Sequence, residues 1–220
     1  MKNVCYCGTR SVYQQIVPAV RSLLTNADVD NVYVICEDDF FPYELPAMVN
    51  VVNLKNQEYI SRGGLNYHCL WSYMCLMKVA LWKVFSDLDK LLVLDPDTIV
   101  EEDISELWDL DMTDYYLAAV SEPEKSKSQI YINGGVQFQN LEKLRDGKGE
   151  ELIHAIDTKF YSFPDQECIS EHCWGQIYLL PAEYNYCRFT TSENLEHPKI
   201  RHFAGEGKRS LRYDAVRKYL

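Results

Sequence analysis

Two aspartates separated by one proline follow a strongly apolar stretch in the middle of the chain. Residues 91–94 read LLVL and run directly into Asp95 and Asp97. In open α/β sheets, ligands bind beyond the carboxyl ends of the strands, which is where these carboxylates are expected. Carboxylate oxygens suit Mn²⁺ or Mg²⁺, with diphosphate oxygens and water completing an octahedron. The alternative is a plain turn, because Asp-Pro-Asp is good turn chemistry and can cap a helix.

Two downstream segments carry groups that could serve the same site. Asn133, Gly134 and Gly135 open an alternating strand, where glycine permits a positive φ or a close approach of backbone and ligand. A plain tight turn is the alternative for these glycines. Asp165 and Gln166 open a helical stretch after a proline. Asp165 could act there only as a charge that the helix dipole favours.

The last candidate segment follows a predicted strand near residue 200. His202 could supply an imidazole as a third metal ligand. Gly205 allows the backbone to approach a phosphate, and Lys208 carries a phosphate-binding charge on a long stem. A lone histidine is more often structural, so the combination of His202 with the carboxylate pair carries the metal hypothesis.

Composition narrows the class of ligand. The 220 residues include 22 basic and 33 acidic side chains, which gives a net charge of −11. Such a surface repels nucleic acid and anionic lipid, so neither is an expected partner. A phosphorylated ligand would need a cation or a few placed donors. With 47% apolar and 13% aromatic residues, the chain can fill a core, which excludes disorder.

The elements that must position these residues alternate along the chain. We predict strands at residues 4–7, 32–36, 49–54 and 91–94, and helices at residues 12–24 and 67–85. This order indicates an α/β fold with a mainly parallel sheet flanked by helices. Residues 122–128 read as a surface loop and residues 145–150 as a break between two helices. Neither is a linker, so residues 1–220 are expected to form one domain.

Cysteine usage and hydropathy bear on the compartment. The eight cysteines form no CxxC pair, and we interpret them as buried free thiols, with Cys5 and Cys7 on one face of a strand. No apolar segment approaches the roughly 20 residues that a membrane span needs. The N-terminus lacks the apolar run of a signal peptide. A cytoplasmic protein without stable membrane insertion is therefore expected.

The apolar strand followed by DxD is also similar to the first motif of the haloacid-dehalogenase phosphatases. In those enzymes the first aspartate is a nucleophile, a role that would fall to Asp95. They usually carry that strand near the N-terminus and a further acidic pair near the C-terminus. Here 90 residues precede the strand, and no acidic pair follows a late apolar strand. A Mg²⁺-dependent phosphatase is therefore kept as an alternative.

Taken together, the segments resemble glycosyltransferase family 8, the glycogenin and bacterial galactosyl- and glucosyltransferase group. The resemblance covers nearly the whole chain, in six segments that occur in the family's order. The segments are LLVLDPDTIV, SELWDLDM, INGGVQFQNLEKLR, PDQECI, LLPAEYNY and HFAGEGK. It implies a GT-A fold, a Rossmann-like nucleotide-binding domain that uses a UDP-sugar and Mn²⁺, with Mg²⁺ as the alternative cation, and retention at the anomeric carbon.

The resemblance also implies roles for individual residues. The metal ligands would be Asp95, Asp97 and His202. Asp165 would contact the sugar hydroxyls, and Gln166 would lie beside the anomeric carbon. The donor-binding residues would be Cys7, Gly8, Thr9, Tyr13, Lys78, Glu122, Asn133, Gly134, Gly205 and Lys208. Three of these have structural alternatives: Tyr13 as a core residue rather than a uracil stack, Lys78 as a solvent-facing lysine, and Glu122 as a loop carboxylate.

The resulting hypothesis is transfer of glucose or galactose from a UDP-sugar to a hydroxyl acceptor. A non-catalytic module that binds nucleotide-sugar is a further alternative. The family includes dimers, so a homodimer is compatible with the resemblance. Two departures stand out: Arg209 and Ser210 occupy the place of the family's Pro-Trp, and Gly135 makes the strand motif NGG. The first bears on the closing loop and the second on the turn expected at that motif.

Overall fold

The computed structural model describes all 220 residues. The strands are β1 (Asn3–Cys7), β2 (Asn31–Cys36), β3 (Val49–Asn53), β4 (Lys90–Leu94), β5 (Thr98–Val100), β6 (Leu117–Ser121), β7 (Ile132–Asn140), β8 (Ile177–Leu179) and β9 (Ile200–His202). The α-helices are α1 (Tyr13–Asn26), α2 (Tyr73–Leu76), α3 (Leu81–Val84), α4 (Leu141–Leu144), α5 (Lys148–Thr158), α6 (Pro164–His172) and α7 (Asp214–Arg217). Short 3₁₀ helices cover Met77–Val79, Ser105–Asp109, Ala182–Asn185 and Gly207–Arg212.

Seven strands form one sheet in the order β3-β2-β1-β4-β7-β6-β8. The pairs among β3, β2, β1 and β4 are parallel, and β6 is parallel to β8. Strand β7 runs antiparallel to both of its neighbours. The mainly parallel sheet predicted from the element order is confirmed, as are the four predicted strands and the first helix. None of the helices has the length and apolar character that crossing a membrane requires.

Strand β4 is buried on both faces, which explains its unbroken apolar run. Leu91 and Val93 pack on one side with the helices that follow α2. Leu92 and Leu94 pack on the other side against α1. Because successive side chains point to opposite faces, each strand residue contributes to one of two apolar layers. The sheet therefore holds the carboxyl end of β4 rigidly at its centre.

The single long helix predicted over residues 67–85 is wrong. Its first part consists of turns up to Ser72, whose φ is 74°, and the rest is divided into α2, a 3₁₀ helix and α3. Between α2 and α3 the bonding changes to the 3₁₀ type, with the Ala80 N–H donating to the Met77 carbonyl at 2.9 Å. Two side chains bond to carbonyls of this segment: Gln139 Nε2 donates to the Lys78 carbonyl at 3.0 Å, and Trp82 Nε1 donates to the Val79 carbonyl at 3.0 Å.

Two short strands complete the region above the sheet. After β4, the chain turns at residues 95–98 and enters β5, which pairs antiparallel with β9. The register sets Thr98 opposite His202. This pairing brings the last strand of the chain over the carboxyl end of β4, although more than 100 residues separate them in sequence.

Candidate active site

Asp95, Asp97 and His202 form a compact cluster at the carboxyl end of β4. One ligand atom from each lies within 4.8 Å of the others. His202 Nε2 is 3.3 Å from Asp97 Oδ1 and 3.8 Å from Asp95 Oδ2. Two carboxylates and one imidazole form a donor set that suits a divalent cation such as Mn²⁺. The residues predicted as metal ligands are therefore adjacent, and the chemistry of the donor set fits the cation.

The same residues also form the turn that the sequence offered as an alternative. The Thr98 N–H and hydroxyl both donate to the Asp95 carbonyl, at 3.2 and 2.8 Å. The Phe203 N–H donates to the Asp97 carbonyl at 3.0 Å, and the Asp95 N–H donates to the Gly135 carbonyl at 2.8 Å. Because the backbone of the turn is fixed by these bonds, both carboxylates are held toward His202.

Gly134 and Gly135 lie inside β7, and neither adopts a positive φ. A tight turn and a left-handed conformation are therefore both wrong for these positions. What they permit is close packing of side chains. A Cβ on Gly135 would lie 2.1 Å from His202 Cε1, and one on Gly134 would lie 2.7 Å from Asp165 Oδ2. The glycines let the imidazole and the carboxylate rest directly against the strand.

Lys78 is buried, so the solvent-facing alternative is wrong. Its ammonium is 2.6 Å from Asp95 Oδ1, 3.0 Å from Asp165 Oδ2 and 2.8 Å from the Gly134 carbonyl. Burial alone would lower the pKa of Lys78, but the charges of Asp165 and Asp95 outweigh burial and raise it. The lysine therefore remains charged and holds Asp95 and the start of α6 together.

Asp97 and His202 shift each other's pKa. Burial raises the pKa of Asp97, but the charge and hydrogen bond of His202 outweigh burial and bring it below the ordinary value. Burial lowers the pKa of His202, but Asp97 outweighs it and raises that pKa to about 10. Burial raises the pKa of Asp95, although the charges of Lys78 and His202 oppose that rise. A divalent cation in place of the imidazole proton would match the charge of two ionised carboxylates.

Gln166 is held in one orientation beside the cluster. Its Oε1 accepts from the Gly134 N–H at 3.0 Å, and its Nε2 donates to the Tyr131 hydroxyl at 3.0 Å. It lies in the buried first turn of α6 next to Asp165, which Lys78 holds in place. Asp165 and Gln166 therefore lie against β7, and Lys78 connects Asp165 to Asp95. Tyr131 was missed in the sequence because nothing local marks it.

Residues 122–128 were predicted as a surface loop, but the side chain of Glu122 is buried. Its carboxylate accepts from Asn133 Nδ2 at 2.7 Å and pairs with Lys125 at 2.8 Å. Asn133 Oδ1 in turn accepts from Asn185 Nδ2 at 2.9 Å. Asn185 lies in the segment LLPAEYNY, which the sequence analysis quoted without singling out this residue. Asn133 and Asn185 therefore link Glu122 to His202.

The N-terminal candidates lie at the carboxyl end of β1. Cys7 and Gly8 are buried, and the Gly8 N–H donates to the Ile35 carbonyl at 3.1 Å. The Thr9 hydroxyl is 2.8 Å from that of Ser11. Tyr13 is fully buried, with its ring 4.9 Å from that of Phe41. Tyr13 thus occupies the core position that was its alternative, and contact of all four residues with a base stays a prediction.

The C-terminal candidates lie on an exposed segment that follows β9. Gly205 has a φ of 80°, which favours glycine, and Lys208 is exposed. Gln15 of α1 anchors this segment, because its Nε2 donates to the Gly207 carbonyl and to the Ser210 hydroxyl, both at 3.1 Å. Arg209 and Ser210 therefore continue a 3₁₀ helix where the family's Pro-Trp was expected.

A cleft of about 410 Å³ opens beside the cluster. His202 and Phe203 form one wall, and polar side chains of the segment after Asn185, among them Arg188 and Thr191, form the other. The lining is mostly polar, so the cleft suits a polar ligand that lies next to His202.

Comparisons with known proteins agree with this geometry. A family model described as glycosyl transferase family 8 matches residues 3–209. A lipopolysaccharide 1,2-glucosyltransferase of Escherichia coli (strain K12) is 31% identical over 132 residues, covering 53% of this chain and 39% of the relative. General stress protein A of Bacillus subtilis (strain 168) is 28% identical over 148 residues, covering 54% and 52%. The matched region thus spans about half the length of these relatives or less.

Solved structures show the same fold. The galactosyltransferase LgtC, solved in complex with donor and acceptor sugar analogs, superposes with a TM-score of 0.68 at 16% identity, over 99% of this chain and 96% of that one. The glycosyltransferase GlyE of Streptococcus pneumoniae TIGR4 superposes with a TM-score of 0.67 at 21% identity, over 92% of this chain and 54% of that one. The predicted GT-A fold is therefore confirmed.

Proposed function

The chain belongs to glycosyltransferase family 8, and from that premise we propose that it is a retaining hexosyltransferase. It would move glucose or galactose from a UDP-sugar to a hydroxyl acceptor. The observation that carries the proposal is the cluster of Asp95, Asp97 and His202 at the carboxyl end of β4, tied to Asp165 through Lys78. The cluster would supply a cation site for the diphosphate of the donor, and Asp165 a fixed carboxylate for its sugar.

A divalent cation is part of the proposal, with Mn²⁺ preferred because an imidazole joins the two carboxylates. Asp95, Asp97 and His202 would hold it. When bound, the cation neutralises the charge that grows on the leaving diphosphate. Lys208 would add a second positive charge on the side of the exposed segment.

The chain's own residues would orient the sugar. Asp165 would contact sugar hydroxyls through Oδ1, because Lys78 holds Oδ2. Gln166 is a poor nucleophile, and both ends of its amide are occupied. We therefore favour attack by the acceptor hydroxyl from the face that UDP leaves. The bond from the anomeric carbon to the phosphate oxygen breaks, the bond to the acceptor oxygen forms, and the leaving phosphate takes the hydroxyl proton.

The proposal is tested by calorimetric titration of UDP with and without Mn²⁺, on the protein as it stands and on Asp97→Asn. We expect UDP binding that requires Mn²⁺ and is lost in the variant. Turnover of UDP-glucose or UDP-galactose should fall at least about 100-fold. Loss of a group that only hydrogen-bonds to a metal ligand already lowers metal affinity or activity about 10- to 100-fold. Asp114→Asn, an exposed aspartate, is the matched control and should behave as the parent.

Either of two results would contradict the proposal. Absence of UDP binding under both conditions would remove the nucleotide-sugar donor. Wild-type turnover with Mn²⁺ in Asp97→Asn would remove the metal assignment. Binding of UDP-sugar with neither hydrolysis nor transfer would favour the non-catalytic module.

The phosphatase alternative is not retained, because family membership places the chain elsewhere. A single domain over residues 1–220 and a cytoplasmic location remain predictions.

A further inference from the structure

Four buried side chains from four parts of the fold form one continuous hydrogen-bonded chain that ends on His202. Glu122 follows β6, Asn133 lies in β7, Asn185 ends a 3₁₀ helix and His202 ends β9. The links are 2.7 Å from Asn133 Nδ2 to Glu122 Oε1, 2.9 Å from Asn185 Nδ2 to Asn133 Oδ1, and 2.9 Å between Asn185 Oδ1 and His202 Nδ1. All four residues are less than 9% exposed.

The direction of this chain is fixed at its far end. An ionised carboxylate can only accept, so Asn133 must turn its NH₂ group toward Glu122. A backbone donor favours the same orientation, because the Gly135 N–H donates to Asn133 Oδ1 at 3.1 Å. Lys125, 2.8 Å from the other oxygen of Glu122, balances the charge of the carboxylate.

Each later link inherits that direction. Since Asn133 Oδ1 is an acceptor, Asn185 must present its NH₂ group to it and its carbonyl oxygen to His202. The imidazole Nδ1 must then carry a hydrogen and donate it. Only Nε2, which faces Asp97 at 3.3 Å, remains available to accept a metal ion.

We propose that Glu122 and Asn185 are positioning residues that fix the tautomer of His202, so that Nε2 is its metal-binding nitrogen. The inference deepens the proposed function, on which its metal part rests. A ligand nitrogen that is already oriented and lacks a proton when metal is bound has a higher affinity than a freely rotating ring. Glu122 would therefore act on the metal through three hydrogen bonds.

The first test replaces the link next to the imidazole. In Asn185→Ala, His202 Nδ1 loses its acceptor, and we expect Mn²⁺ affinity to fall about 10- to 100-fold. Free Mn²⁺ is measured by electron paramagnetic resonance with the metal alone. In metal-free protein labelled with ¹⁵N-histidine, the slowly exchanging Nδ1–H signal of His202 should be present in the parent and absent in Asn185→Ala. Asn185→Asp keeps an oxygen facing Nδ1 and should restore that signal.

The second test acts at the distant end and leaves every neighbour of the imidazole in place. Gln in Glu122→Gln can donate as well as accept, so the direction of the chain is then set by the Gly135 N–H alone. Because one of the two constraints on Asn133 is removed, we expect Mn²⁺ affinity to fall by up to about tenfold and a minor second tautomer of His202 to be detected in the Mg²⁺-loaded protein. Glu151→Gln is the matched control. Glu151 lies on α5, away from the cluster, and its carboxylate is likewise paired with a histidine, 2.8 Å from His172 Nδ1. It should leave Mn²⁺ affinity unchanged.

The readouts separate this inference from the proposed function. A parent protein that binds no Mn²⁺ would contradict the metal assignment, while the ring N–H signal would still test the chain in metal-free protein. Parent-like Mn²⁺ affinity in Asn185→Ala, or an unaltered ring N–H signal in that variant, would overturn the inference. If Asn185→Ala does not fold, Glu122→Gln and Asn185→Asp decide the question alone, and a single unchanged tautomer in Glu122→Gln would overturn it.

Discussion

The two ends of the candidate site are built differently. Around β4, carboxylates, lysine and imidazole are largely buried, and each is tied to at least one other element of the fold. Residues 205–212, by contrast, are mostly exposed. Gln15 holds that segment to α1, and Gly205 and Gly207 adopt φ values of 80° and 54°.

This contrast separates two kinds of effect. A change in the buried cluster leaves partner groups without hydrogen bonds or counter-charges, so it should alter folding stability as well as function. A change in the exposed segment leaves few buried partners behind, so it should alter ligand affinity alone. In the proposed function, the buried cluster would be a fixed frame for the cation and the sugar, and the exposed segment would add a contact from outside.

The largest effect is expected from Lys78→Met, which leaves Asp95 and Asp165 without their shared counter-charge. Breaking a buried ion pair from one side costs about 3–5 kcal/mol in the free energy of unfolding. Urea denaturation of the metal-free protein measures this. Lys127→Met, at an exposed lysine, is the control and should change stability by less than about 0.5 kcal/mol. A loss below about 1 kcal/mol in Lys78→Met would show that the cluster is not the rigid frame inferred from its contacts.

A second large effect is expected from Gly135→Ala. The added methyl group would lie 2.1 Å from His202 Cε1, so the imidazole must move away from β7 and from the carboxylates. We expect Mn²⁺ affinity to fall about 100-fold, as when a supporting contact of a metal ligand is lost. Gly63→Ala is the control, because its Cβ would meet only the Ser61 hydroxyl at 3.8 Å. Parent-like Mn²⁺ affinity in Gly135→Ala would mean that His202 is not a ligand.

Much of the frame could be predicted from the sequence, because its signals are local. The run LLVL followed by Asp95 and Asp97 predicts a central strand with carboxylates at its end. The order of strands and helices predicts the sheet. His202 could be added through its motif, since Gly205 and Lys208 follow it at fixed spacing.

The rest depends on contacts between distant segments. The segment LLPAEYNY contains Asn185 but gives this residue no role, and nothing near Tyr131 in the sequence indicates that it supports Gln166. The role of Gly135 follows from His202 of β9 packing against it, which no local pattern predicts. The helix predicted over residues 67–85 is interrupted where distant residues contact it, as Gln139 does at the Lys78 carbonyl.

A third prediction concerns pH. Because Asp97 holds the pKa of His202 at about 10, against an ordinary value of 6.5, the imidazole is protonated between pH 6 and pH 8. A cation must displace that proton, so Mn²⁺ affinity should rise with pH, about tenfold per unit. Titrations of Mn²⁺ at pH 6, 7 and 8 measure the slope. The slope should become small in His202→Ala, and a flat profile in the parent would contradict protonation of His202.

The smallest effect is expected from Lys208→Ala in the exposed segment. One contact between its ammonium and a phosphate would be lost, and we expect UDP to bind about tenfold more weakly in the presence of Mn²⁺. The free energy of unfolding should stay unchanged, because the side chain is exposed. Lys218→Ala, an exposed lysine on the last turn of the chain, is the control.

Ionic strength then distinguishes the two regions directly. The Debye length is about 10 Å at 0.1 M salt and about 3 Å at 1 M, and exposed charges are screened far more than buried ones. The difference in UDP affinity between parent and Lys208→Ala should therefore shrink as salt is raised. The loss of stability in Lys78→Met should persist, because Asp95 and Asp165 face that lysine inside the fold. A salt-insensitive effect of Lys208→Ala would mean that the segment folds over the phosphates and buries this contact, and the distinction between frame and added contact would then fail.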